Sequence, residues 1–183
     1  MRESLETIAG EIDKCTRCVL GRSRNHAVPG EGNRNARLML IGEAPGREED
    51  EKGRPFVGRA GRLLTQVLND AGLTREEVFI TSVIKCRPPN NRRPRKKEIR
   101  ACLPYLRKQI TAINPRVILL LGGVAAESLL GIRKVGEARG KPIRKDRVYL
   151  VTYHPAAVLR NINLLSSLSE DIRLAKKLAY SET

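Results

Sequence analysis

Four nearly continuous apolar runs limit the folds open to this chain: Arg37 to Ile41, Val78 to Ile84, Val117 to Leu121 and Val148 to Tyr153. Each has the length of a strand and is rich in Val, Ile and Leu. Such runs suit strands buried on both faces, as in a parallel sheet, rather than half-solvated strands that alternate polar with apolar. Helical patterns lie between them. Leu63, Leu64, Val67 and Leu68 make one apolar face, and Ile99, Cys102, Leu103, Leu106, Ile110 and Ile113 make another. Val124 to Leu130 and Leu164 to Ala179 read as two more helices. Pro104, inside the second pattern, is expected to kink that helix or start a new one. Residues 131–147 read as a basic loop. Strands alternating with helices give an α/β fold, here a four-stranded parallel sheet covered on both faces, in one domain spanning residues 1–183.

A parallel sheet delivers the loops after its strands to one edge. Those loops are Gly42 to Gly61, Lys85 to Pro94, Gly122-Gly123 and His154 to Asn161, and they hold the residues with chemical potential. The first has five glycines and one phenylalanine, Phe56, in a chain with only two phenylalanines and four tyrosines. Phe56 is either a flat platform for a planar ligand or a hydrophobic plug under its loop. His26, in a polar, turn-rich stretch, reads as a loop histidine.

Basic residues outnumber acidic ones 35 to 20, a formal charge of +15. That excess favours a polyanionic partner, nucleic acid first, over a merely basic surface. Arg92, Arg93, Arg95, Lys96 and Lys97 fall within six residues beside the site edge, where they suit phosphate contacts. No apolar run approaches the roughly 18 residues of a membrane span. The N-terminal stretch carries a helical stripe, Leu5, Ile8, Ala9 and Ile12, rather than a signal-peptide core, so no signal peptide and a cytoplasmic location are expected. The four cysteines, Cys15, Cys18, Cys86 and Cys102, run C-x2-C, then C-x15-C. In a cytoplasmic chain this set suggests a metal centre rather than disulfides. Zinc and an iron–sulfur cluster both take four cysteines, and Cys102 also suits a plain core position.

Together, GEAPG with the following ED and GRPFVG, then KCRPPNNR, HPAAVLR and the four cysteines, resemble the family 4, iron–sulfur uracil-DNA glycosylases over about Cys15 to Arg160. The resemblance implies a three-layer α/β/α sandwich. It implies that Cys15, Cys18, Cys86 and Cys102 ligate a structural [4Fe–4S] cluster. It implies a monofunctional DNA-repair enzyme that flips deoxyuridine out of DNA and hydrolyses its N-glycosidic bond, leaving uracil and an abasic site. Uracil-containing DNA, single- or double-stranded, would be the partner of a nucleoid-associated monomer that works with other base-excision repair factors. Phe56 would stack on the flipped base, with Gly42, Ala44 and Gly46 offering close backbone approach. His154 would donate to a uracil oxygen as charge grows there. Glu43, helped by Asn91, would orient water or stabilise the cationic sugar. Leu159 would fill the gap left by the base, and Arg92, Arg93 and Arg160 would hold phosphates.

Two positions depart from the pattern. Ala44 stands where better-known uracil glycosylases carry an Asp, so that carboxylate cannot activate water. Ser82 stands where the family has an Asn that reads the uracil edge. A hydroxyl works from one oxygen where an amide offers a donor and an acceptor, so weaker uracil selectivity or a changed base preference is expected. Two other functions remain open: a same-fold glycosylase of altered or broadened base specificity, and a non-catalytic iron–sulfur DNA-binding module.

Overall fold

The computed structural model describes residues 1–182. Its helices are α1 (Leu5–Asp13), α2 (Leu20–Ser23), α3 (Arg47–Lys52), α4 (Arg59–Asp70), α5 (Lys96–Ile113), α6 (Gly123–Leu130), α7 (Val135–Ala138), α8 (Pro155–Arg160) and α9 (Leu165–Tyr180). Its strands are β1 (Glu31–Gly32), β2 (Leu38–Gly42), β3 (Phe79–Ser82), β4 (Val117–Leu121), β5 (Ile143–Arg144) and β6 (Val148–Thr152). They form a six-stranded sheet in the order β1-β3-β2-β4-β6-β5. The expected four-stranded parallel sheet is therefore its centre, and the whole sheet is mixed. β1 and β5 pair antiparallel at the two edges. Each edge strand has two residues, too few for a period to register, and both lie in stretches that read as loop.

Alternation along β2 builds the layers. Leu38 and Leu40 face a core made with Leu64, Val67 and Leu68 of α4 and Leu168 and Ile172 of α9. Met39 and Ile41 face the opposite core, with Leu106, Ile110 and Ile113 of α5 and Ala125 and Ala126 of α6. Helices thus cover both faces of the sheet, whose strands β2, β3 and β4 are buried throughout, the three-layer arrangement. A third cluster joins Ile8 and Ile12 of α1 and Leu20 of α2 to Ile84, Cys86, Cys102 and Tyr105.

α5 runs through Pro104 unbroken. Pro104 is exposed, so the carbonyl it leaves without a partner can face water, while Cys102, Tyr105, Leu106, Gln109 and Ile110 hold the buried face down. Residues 47–52, read as loop, form α3. Within 131–147, α7 and β5 interrupt the expected loop. That segment is fastened by Arg139, whose Nε and Nη2 donate to Asp171 Oδ2 and Oδ1 at 2.9 and 2.7 Å. Thr152 Oγ1 donates to the same carboxylate at 2.7 Å. Asp171 is buried, so α9, α7 and β6 meet at one ion pair.

Removing Asp171 strands Thr152 Oγ1 and leaves Arg139, 24% exposed, with Glu170 at 3.4 Å, so the loss falls short of the roughly 3–5 kcal/mol of a fully buried pair. Asp171→Ala is therefore expected to lower unfolding free energy by about 2–3 kcal/mol in urea titrations. A loss below about 1 kcal/mol would mean that apolar packing alone holds α9.

Candidate active site and cysteine centre

β2, β3, β4 and β6 end at the same edge, where their loops enclose a cleft of about 650 Å³. The ladder between β2 and β3 continues past their ends. Val83 N donates to Gly42 O and Ile84 N to Glu43 O, each at 3.0 Å, which holds the first loop beside the second. Of the residues expected to form the site, Glu43, Ala44, Gly46, Phe56, Ser82, Asn91, Arg92, His154 and Arg160 all line the cleft. Gly42 lies beneath it. A side chain there would put its Cβ 2.5 Å from Phe56 Cζ, so only glycine lets the ring lie so close to β2. Leu159, on α8, is exposed outside the lining, as is Arg93.

Phe56 sits at φ 49°, a left-handed conformation unusual for a bulky residue. Its surroundings hold it there. Glu49 Oε2 accepts from Val57 N and Gly58 N at 2.8 and 2.6 Å, and Glu49 Oε1 from Gly46 N at 3.0 Å. Arg75 donates to the carbonyls of Phe56 and Pro55 at 2.9 and 2.7 Å. Arg75 did not stand out in the sequence, whereas Glu49 belongs to the ED of the quoted motif and, three positions after Gly46, gives a capping signal. The Phe56 and His154 rings lie 5.6 Å apart, tilted by 31°.

His154 caps α8, and its Nδ1 accepts from Ala156 N at 3.0 Å. An accepting Nδ1 has no proton, so the neutral ring carries its hydrogen on Nε2 and can donate only there. Burial, and then the charge of Arg160, lower its pKa to about 4. At neutral pH it is thus a neutral donor. Gly122, at φ 93°, makes room for it, because a Cβ there would lie 2.9 Å from His154 Cβ.

Glu43 is partly buried, and desolvation raises its pKa while Arg93 and Arg160 oppose the rise. Asn91, at φ 55°, is exposed on the cleft rim, and its Oδ1 accepts from Arg87 Nε at 2.7 Å. Arg92 forms a two-pronged pair with the buried Glu98, both bonds 2.8 Å, and Arg93 lies 3.3 Å from Glu127. Ser82 is buried at the cleft floor, and its Oγ opens to the cleft with no protein partner among the described residues. His26 is a loop histidine whose Nδ1 lies 2.9 Å from Asp50 O.

The four cysteines, all free, line one small cavity of about 20 Å³ with Ile12, Leu20, Ile84, Lys85 and Tyr105. The donors are thiols alone, set in apolar surroundings, which suits a soft metal or an iron–sulfur group. Among the described residues, no three His, Cys, Asp or Glu side chains converge closely enough for a single ion. Burial raises the Cys86 thiol, opposed by Arg24, which donates to its Sγ at 3.0 Å. Burial also pushes Cys102 up to about 11, opposed by Lys85. The Lys85 ammonium is pulled down to about 7 by its own burial, with Cys102 opposing.

The uracil DNA glycosylase superfamily pattern matches residues 29–175. The chain is 46% identical to a type-4 uracil-DNA glycosylase of Saccharolobus solfataricus, over 98% of this chain and 88% of the relative. It is 44% identical to the type-4 enzyme of Thermotoga maritima, over 98% of this chain and 97% of the relative. A type-5 uracil-DNA glycosylase of Thermus thermophilus is 34% identical over 69% of this chain and 68% of the relative.

The folded-state pKa of His154 near 4 lies below its ordinary value of 6.5. Between those values the unfolded chain binds the extra proton, so this residue's contribution to stability is intact above about pH 6.5 and lost as pH falls toward 4. Nitrogen NMR of the imidazoles is expected to find His154 neutral and protonated on Nε2 down to about pH 5. A midpoint near 6.5 would remove the burial argument.

Proposed function

The chain belongs to the uracil-DNA glycosylase superfamily, on its type-4 branch, and on that premise we propose how its cleft excises uracil from DNA. The observation that carries the reading is the neutral, Nε2-protonated His154 beside Phe56 in a cleft that Glu43 also lines. Uracil inside a duplex stack is out of reach, so the nucleotide is extruded, at a cost of a few kcal/mol. Phe56 stacks on the flipped ring, which offsets roughly 1–3 kcal/mol. The backbone of Gly42 and Ala44, with Gly46 behind it, lies against the base. As the glycosidic bond breaks, negative charge gathers on uracil and positive character on the sugar. His154 Nε2–H donates to the uracil oxygen that takes that charge. A fixed neutral donor strengthens with the growing charge and needs no proton transfer.

Glu43 faces the cationic side. Its carboxylate orients the attacking water or stabilises the sugar. Asn91 assists from the rim through its amide nitrogen, since its oxygen is occupied by Arg87. Water attack and bond cleavage leave free uracil and an abasic site. Arg160 holds a backbone phosphate. Leu159 enters the gap left by the base, and the preceding Val158 cannot, because it is fully buried. Arg93 adds long-range attraction, and Arg92 does so while bound to Glu98.

Cys15, Cys18, Cys86 and Cys102 hold a [4Fe–4S] cluster in this reading. When bound, it supplies iron–thiolate bonds that cross-link the α1–α2 connection, the chain after β3 and α5. Four thiols around one cavity are the donor set that a four-thiolate cluster takes. Iron analysis and the visible absorbance of purified protein check this, and Cys86→Ser is expected to lose both together with thermal stability. Protein that is fully folded and iron-free would overturn it.

A second reading concerns only the base. The unpartnered Ser82 hydroxyl offers one oxygen to the uracil edge, so selectivity is weaker than an amide would give. A 5′-labelled oligonucleotide with one uracil, treated with alkali after incubation, tests both. Native protein is expected to create alkali-labile sites at uracil and far fewer at a cytosine control. His154→Ala is expected to lower kcat about 10²–10³-fold. Ser82→Asn is expected to raise uracil-over-cytosine selectivity, and no change there would remove Ser82 as the reader. Near-full activity in both Glu43→Gln and Asn91→Ala would refute the water assignment, and DNA binding without excision of any damaged base would leave a binding module.

A further inference from the structure

Met1, Val19, Leu159 and Ile162 are the large apolar side chains exposed among the described residues. Scattered single ones are ordinary, whereas a pair fixed beside a binding site marks a contact. Leu159 and Ile162 are such a pair, three positions apart at the lip of the cleft. α8 divides its residues among three surroundings. Ala156, Ala157 and Arg160 line the cleft, Val158 is fully buried in the core, and Leu159 lies outside both, 39% exposed. Ile162 is 65% exposed and opens the one-turn 3-10 helix that follows (Ile162–Leu164). The excision scheme gives it no part.

The corner that presents Ile162 is firmly held. Asn161 N donates to Ala157 O and Leu164 N to Asn161 O, both at 3.0 Å, and Asn161 Oδ1 accepts from Asn163 N at 3.2 Å. Val158 before the corner and Leu164 and Leu165 after it pack on one core. Both ends are therefore clamped, and Ile162 is left outside. No acidic residue stands between Asp146 and Glu170, so the corner has one charge of its own, the cation of Arg160. An apolar side chain on a positive rim, continuous with a cleft that takes a nucleotide out of DNA, faces the DNA that flanks that nucleotide.

The apolar surfaces that DNA offers are the faces of its bases, and extrusion uncovers them. Leu159 fills the gap in the uracil strand. In a duplex, the base opposite the extruded uracil also loses its partner and part of its stack. A single strand has no such base. We propose that Ile162 packs on that orphaned base of the opposite strand and so favours excision from double-stranded over single-stranded DNA. This rests on the excision reading above, with Leu159 as the wedge. Pairing and stacking make extrusion costlier in a duplex than in a single strand, and the Ile162 contact offsets part of that difference.

The test compares kcat/KM for one 5′-labelled uracil oligonucleotide, alone and annealed opposite guanine, at a single salt concentration, because phosphate contacts make affinity salt-dependent. Ile162→Ala is expected to lower the duplex value about five- to tenfold more than the single-strand value. Ile162→Met keeps an apolar side chain of similar size and is expected to keep the native ratio. A direct readout places 2-aminopurine opposite a 2′-fluoro-deoxyuridine that resists cleavage. Binding of native protein is expected to change its fluorescence, and saturating Ile162→Ala to change it less. A merely structural residue would lower both substrates alike and leave the fluorescence change intact. Equal loss on the two substrates, or no loss on either, overturns the proposal. So does a native dimer at assay concentration that Ile162→Ala dissolves, because a second copy then covers the side chain. Native protein that excises uracil from neither substrate overturns the functional reading along with it.

Discussion

A Cβ on Gly42 would press on the tip of the Phe56 ring, and one on Gly61 would collide with the Phe56 backbone. Phe56 is thus wedged between the end of β2 and the first turn of α4 at a backbone conformation that a large side chain avoids. The rest of the cleft is built around that placement. Glu49 ties α3 and the start of α4 to the loop on one side, and Arg75 grips its carbonyls on the other. Holding a residue at positive φ costs on the order of 1–3 kcal/mol, and it persists only where neighbours over-determine it. Here the return is a rigid aromatic face that His154 meets at a fixed angle, as the proposed stacking on a flipped base requires.

The same economy governs the charges. A formal +15 suggests a surface covered with free cations, yet many arginines are structural. Arg24 bonds the carbonyls of Ile12 and Asp13 and the Cys86 thiol. Arg75, Arg92 and Arg139 each clamp a carboxylate that is wholly or largely buried. Arg92 stood in the basic run beside the site edge, and its first task is to secure Glu98 at the start of α5. The cations left for phosphate are those with no such anchor. Arg160, at the cleft mouth, has the position to use its charge on DNA.

The central strands were legible because a strand buried on both faces leaves a long apolar run, and nothing else in the chain resembles one. The residues that line the cleft could be gathered from the sequence because those strands all end at one edge, so that motifs far apart in sequence converge there. The edge strands were not legible, since Glu31–Gly32 and Ile143–Arg144 have no periodicity to detect. Pro104 misled because local propensity forbids what buried neighbours on the far face of α5 impose. Arg75 was invisible as a site residue. It acts on the carbonyls of Pro55 and Phe56, 20 and 19 residues away and brought near by the fold, and such partners leave no mark on the sequence spacing.

The cysteines lie beside the N-terminal segment, but α1 has its own attachments. Ile8 and Ile12 are buried against α5, and Lys108 of α5 lies 3.0 and 2.8 Å from Glu3 and Glu11. Those two surface pairs are worth little individually, whereas burial of an Ile side chain is worth about 1.5–3 kcal/mol. Apolar packing therefore docks α1 whether or not the cysteines are ligated. The chain from Cys86 to Asn91 has no strand partner and passes through two prolines into two left-handed asparagines, held by Arg24 on Cys86 Sγ and by Arg87 on Asn91 Oδ1. Anchoring Cys86 fixes where that segment leaves β3, and so fixes the rim of the cleft at Asn91. In the proposed reading, a cluster at the cysteines would bear on the cleft rim at Asn91 more than on the N-terminal helix.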